Sequence, residues 1–217
     1  LFSSQAMKNY IGGVILFDET IRQKSSRGIP IPELIKNNGA IPGIKVDKGA
    51  KKLAGSTDET ITEGLDGLRE RLKEYYDLGA RFTKWRAVYK ITSNFPSLQC
   101  IKSNAHALAR YASLVQEANM VPIVEPEVLM DGDHDIEKCF QVTANVLNEC
   151  YNELALHKVN LRGTVLKPNM ILPGIDCRNK VSSTEIAKKT IECLKKNVPD
   201  AVPGIAFLSG GQSEIES

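Results

Sequence analysis

The sequence predicts an α/β fold on parallel strands, a (β/α)8 (TIM) barrel of which about six strand–helix units are present. Three observations carry that prediction. Short apolar runs recur with starts about 30 to 43 residues apart, the length of a strand, a helix and two loops. The segments between them carry helical periodicity. Polar residues able to do chemistry collect late in these runs or just past them, and they come from several runs, as on the active face of a barrel.

In chain order the apolar runs are 11–17, 41–46, 81–88, 121–129, 161–166 and 204–208. Between them, segment 61–78 places Leu65, Leu68, Leu72, Tyr75 and Tyr76 at spacings of three and four, and Gly79 stops it. Segments 97–118 and 136–156 read as helices by the same test. Segment 182–197 opens with the capping box Ser182-x-x-Glu185 and stops before Pro199. No low-complexity linker interrupts the series, so residues 1–217 are expected to form one domain. Lys45, Lys84, Glu125, Glu127, Lys167 and Ser209 supply the polar residues at the run ends. An open doubly wound sheet would instead need a glycine-rich turn after its first strand, whereas Gly12 and Gly13 stand at the start of theirs. A closed barrel takes eight strands and typically about 250 residues. The chain, which starts without Met, is therefore expected to be an interior piece lacking a strand at each end, with unpaired edges and poor stability alone.

At 42% hydrophobic and 25% charged residues, the composition is that of a globular protein rather than a disordered one. Lys and Arg number 28 against 26 Asp and Glu, a balance that argues against a nucleic-acid partner. The cluster Lys48, Lys51 and Lys52 reads as a solvated face. No apolar run reaches the roughly 18 residues of a membrane helix, and no signal peptide is visible. Cys100, Cys139, Cys150, Cys177 and Cys193 form no CxxC pair and are odd in number, which points to reduced thiols and a cytoplasmic location.

Lys167 follows the apolar Gly163-Thr-Val-Leu166 and precedes Pro168. Low dielectric and neighbouring cations in a barrel interior both favour a neutral amine, which can attack a carbonyl and form a Schiff base. The alternative is a strand-end lysine that reaches out to solvent. Period-two alternation sets Lys84 with Arg86, Lys45 with Asp47, and Glu125 with Glu127 on common strand faces. Carboxylates facing lysines in this way serve either general acid–base chemistry or a structural ion network. Ser209-Gly-Gly211 after the last run reads as a phosphate-holding turn or as an ordinary one.

Two other leads are weak. The run Asp131–Asp135 starts like a calcium loop but has Ile136 and Val142 where the glycine and the closing glutamate belong, so it is expected to be a polar loop opening the next helix. His106, His134 and His157 are scattered over helices and a loop, and His106 and His157 read as packing or surface residues, so no metal site and no cofactor are expected.

Taken together, Gly43-Ile-Lys-Val-Asp-Lys-Gly49, Phe82-Thr-Lys-Trp-Arg86, Val121-Pro-Ile-Val-Glu-Pro-Glu127, Leu166-Lys-Pro-Asn-Met170 and Phe207-Leu-Ser-Gly-Gly-Gln-Ser213 resemble class I fructose-bisphosphate aldolase, in order and spacing. The resemblance covers the chain from Ile11 onward. It implies a metal-free, glycolytic Schiff-base lyase acting on fructose 1,6-bisphosphate, with Lys167 as the amine and Glu125 as the general acid/base. It further implies that Lys84 stabilises charge near the cleaved bond and that Glu127 belongs to the charge network. Lys45 and Arg86 would serve the sugar-phosphate pocket, and the Ser209, Gly210 and Gly211 N–H groups would hold a phosphate. A cytoplasmic homotetramer and cytoskeletal binding are implied as well. Nothing here matches the family's first strand with its aspartate, or its last strand with its phosphate-binding arginine. The 217-residue chain is thus expected to be inactive alone, the alternative role being that of a binding scaffold.

Overall fold

In the structure, a computed structural model, residues 2–94, 96–208, 212, 213 and 215 are described. Five parallel strands form one sheet in the order β1 (Gly13–Leu16), β2 (Ile41–Lys45), β5 (Phe82–Tyr89), β6 (Val121–Val128) and β7 (Val165–Leu166). The sixth run joins at a single bridge, Leu166 to Ile205, with Leu166 N donating to Gly204 O and Ala206 N to Leu166 O. This is the expected parallel α/β order. The fifth run starts later than expected, because residues Leu161–Gly163 make a 3₁₀ turn held by the Asn160 side chain.

Each strand has one face against the helices and one on the concave side. On β5, Thr83, Trp85, Ala87 and Tyr89 are fully buried, while Phe82, Lys84, Arg86 and Val88 alternate with them and retain exposure. The long helices cover the first face. Helix α5 (Leu98–Glu117) starts where the Ser97 hydroxyl caps the Cys100 N–H, and it buries Ala105, Leu108, Tyr111, Ala112 and Val115 at helical spacing. Tyr111 stacks 5.4 Å from Trp85, and its hydroxyl meets Thr83 Oγ1 at 2.7 Å. Helix α6 (Ile136–Leu156) is capped by Asp135, so the Asp131–Asp135 run is the polar opening of a helix, as expected. Helix α7 (Ser183–Asn197) has Ser182 as its cap.

Segment 61–78 departs from its expected helix. Its start pairs as a hairpin, β3 (Ala50–Lys52) with β4 (Thr60–Thr62), and helix α4 begins only at Leu68 and runs to Asp77. Gly64 and Gly67 stand between them at φ +131° and +61°, outside helical space. Three short helices were not foreseen: α1 (Gln5–Tyr10), α2 (Asp18–Ile21) and α3 (Ile31–Asn37). The hairpin braces the far end of β5, since Thr62 Oγ1 donates to Arg86 O at 2.7 Å. Arg71 on α4 donates to Val46 O at 2.9 Å and to Gly64 O, which ties down the turn after β2.

On the concave side Phe82 lies over Gly43, where a Cβ would fall 2.3 Å from its ring. Substituting Gly43→Ala is expected to destabilise the chain by about 1–3 kcal/mol through overpacking. Urea denaturation checks this, and adding F82L should restore part of the loss.

Candidate active site

The concave face gathers six of the predicted residues. Lys45 ends β2, Lys84 and Arg86 lie on β5, Glu125 and Glu127 on β6, and Lys167 follows β7. Lys84 lies nearer the start of its strand than expected, because β5 and β6 run well past the middle of the sheet. Its register partner is Ile123, with Arg86 opposite Glu125, so the Lys84 side chain reaches one pleat along to meet Glu125. The ladder also sets Lys167, whose N–H donates to Val124 O at 2.8 Å. Pro168 then has no N–H to continue the pairing.

Glu125 is the centre. Its side chain is 2% exposed, and its two oxygens face two lysines. Oε1 accepts a hydrogen bond from Lys167 Nζ. Lys84 Nζ lies 3.0 Å from Oε2, close enough for an ion pair but without hydrogen-bond alignment. A carboxylate taken this far from water needs such partners. The structure thus gives Lys167 a carboxylate neighbour as well as cations, so its ammonium proton has an acceptor at hand.

Two further pairs flank this one. Lys45 Nζ is 2.5 Å from Asp47 Oδ1, which also accepts the Gly49 N–H at 3.0 Å, while Asp47 Oδ2 accepts the Arg86 N–H at 3.3 Å. Arg86 Nε donates to Glu127, and that hydrogen bond holds the guanidinium protonated against the pull of burial. Four cations (Lys45, Lys84, Arg86, Lys167) face three carboxylates (Asp47, Glu125, Glu127), which suits an anionic ligand. Ser209, Gly210 and Gly211 lie outside the described residues.

Sequence reasoning missed two supports. Asp47 was read on the face of Lys45 but given no task. Asn169 was not singled out, yet it fastens the segment after Lys167: its Oδ1 accepts the Val128 N–H at 3.0 Å and its Nδ2 donates to Thr143 Oγ1 at 3.1 Å. An asparagine just after a strand-end Lys-Pro was the available signal. His106 and His157, read as packing or surface residues, meet in space, a contact that spacing along the chain did not signal.

Residues 1–217 match the family described as fructose-bisphosphate aldolase class I. The chain belongs to that family. Among the class I aldolases it is 54% identical over its whole length to the probable class 1 enzyme of Xylella fastidiosa (strain 9a5c), covering 65% of that protein. It is 56% identical to the cytosolic aldolase 5 of Arabidopsis thaliana, covering 60% of that protein. A solved aldolase from Plasmodium falciparum, in a ternary complex with TRAP and a small-molecule inhibitor, superposes with a TM-score of 0.97 at 47% identity. That superposition covers all of this chain and 63% of the other. The chain therefore spans about three-fifths to two-thirds of these aldolases, and its open sheet corresponds to part of their barrel.

In this aldolase chain, Asn169→Ala would leave the buried Val128 N–H unpaired. A loss of about 1–3 kcal/mol in thermal or urea unfolding is expected.

Proposed function

We propose that this chain carries the Schiff-base half-site for aldol cleavage of fructose 1,6-bisphosphate to dihydroxyacetone phosphate and glyceraldehyde 3-phosphate. The observation that carries the reading is the Lys167–Glu125–Lys84 contact, an amine joined to a buried acid/base whose second oxygen faces a cation. Family membership supports the substrate, and the excess of cations over carboxylates on the concave face suits its phosphates. The relatives called cytosolic support a cytoplasmic location.

These contacts and the family membership support a Schiff-base sequence of steps. Lys167 passes a proton to Glu125, and its free amine attacks the C2 carbonyl to give a carbinolamine. Glu125 returns a proton to the departing hydroxyl, water leaves and an iminium remains. The C3–C4 bonding pair flows into that iminium while a base takes the C4 hydroxyl proton, which releases the aldehyde and leaves an enamine. Protonation at C3 and addition of water then free dihydroxyacetone phosphate and restore the amine. Lys84, beside Glu125, steadies the negative charge that passes through this region. The C4 base is the role that the family resemblance assigns to a strand unmatched here, so the 217-residue chain alone is expected to show little steady-state cleavage. Near-normal rates would overturn that part.

Imine formation is tested separately. Borohydride reduction in the presence of dihydroxyacetone phosphate, followed by peptide mass mapping, is expected to give an adduct on Lys167 that K167M abolishes. Glu125→Gln should slow adduct formation by about 10²–10⁴-fold, the usual scale for loss of a general acid/base. A chain that is folded by circular dichroism yet forms no adduct would sink the proposal.

A further inference from the structure

His106 stands in the middle of α5, Glu153 in the last turn of α6, and His157 just past that helix. The packing of the two helices on one sheet brings all three together, on the outer layer rather than on the concave face. The imidazole rings meet edge to face, with centroids 4.9 Å apart. Nδ1 of His106 lies 3.1 Å and Nδ1 of His157 3.5 Å from Glu153 Oε2, and one ligand atom from each of the three residues comes within 4.8 Å of the others.

Three features distinguish this trio from an ordinary surface cluster. First, the Glu153 side chain is only 18% exposed, and its charge partners among the described residues are these two imidazoles. Second, His157 Nδ1 lies 2.9 Å from the Glu153 carbonyl oxygen, which can only accept, so Nδ1 carries the proton of that contact and Nε2 keeps a free lone pair. An imidazole whose other nitrogen is tied to a backbone carbonyl has the usual orientation of a metal ligand. Third, the spacing is right in scale, since tetrahedral bonds of about 2.0–2.1 Å set ligand atoms roughly 3.3 Å apart.

We propose that His106, Glu153 and His157 bind a Zn²⁺ ion on the helical layer, with water completing the coordination. Two imidazoles and a carboxylate are a ligand set that zinc accepts. His106 ligates through Nδ1 as the tautomer protonated on Nε2, so the ion takes the place of its hydrogen bond to the carboxylate. Zn²⁺ gives Glu153 a fixed countercharge and clamps α5 to the end of α6. The site is separate from the Lys167 chemistry, which needs no metal.

Zinc titration of the purified, tag-free chain by calorimetry tests this. One ion per chain is expected, with a higher melting temperature in its presence. Co²⁺ in the same site should show the visible absorption of a low-coordinate ion. His106 is half-exposed, so H106A should leave the fold intact while weakening zinc binding about 100-fold or more. E153Q should act in the same direction. The five cysteines are buried and offer no competing surface thiols. No uptake by the wild-type chain, or uptake and melting shift unchanged in H106A/E153Q, overturns the proposal.

Discussion

Glu125 is withdrawn almost wholly from water, and its charge is held there by Lys167 on one oxygen and Lys84 on the other. Glu125 and its two partners come from three neighbouring strands, so the pairing requires β5, β6 and the end of β7 to run parallel in one register. Removing either lysine would leave a buried carboxylate undercompensated, a costly state. The backbone supplies the rest. The Lys167 N–H continues the ladder on Val124, Asn169 pins the following turn to β6, and the hairpin and Arg71 brace the ends of β5 and β2.

The two faces of the sheet divide the labour. The helix-facing side is apolar and closely packed, from Trp85 and Tyr89 to the small-residue face of α5, and it gives the strands a rigid backing. The concave side carries the charges. Because side chains alternate along each strand, a single backing layer fixes the height and direction of every charged group at once. Long lysine side chains then bridge the remaining distance between strands, which is why Lys84 serves Glu125 although its backbone neighbour is Ile123.

Much of this was legible in the sequence. The order of the strands and the three longest helices followed from periodicity, with the Ser182 capping box marking the start of one helix; the structure shows Ser97 and Asp135 capping the other two. The shared faces of Lys84 with Arg86 and of Glu125 with Glu127 followed from alternation alone. The hairpin was hidden because Ile61 falls in phase with Leu65 and Leu68, and the contrary signal was two glycines in left-handed backbone. The Lys167–Glu125 contact and the meeting of His106 with His157 depend on tertiary packing between distant segments, which spacing along one chain does not encode. The family motifs pointed to the first of these and were silent on the second.

The central claim is that Lys84 and Lys167 act through one shared carboxylate. A double-mutant cycle measures it most directly, comparing rates of borohydride-trapped adduct formation for wild type, K84M, E125Q and the double variant. If Lys84 works through Glu125, K84M will slow the wild type but add little in the E125Q background. Losses that simply add, within about 0.3–0.5 kcal/mol, would mean that the two residues act independently and would contradict the account.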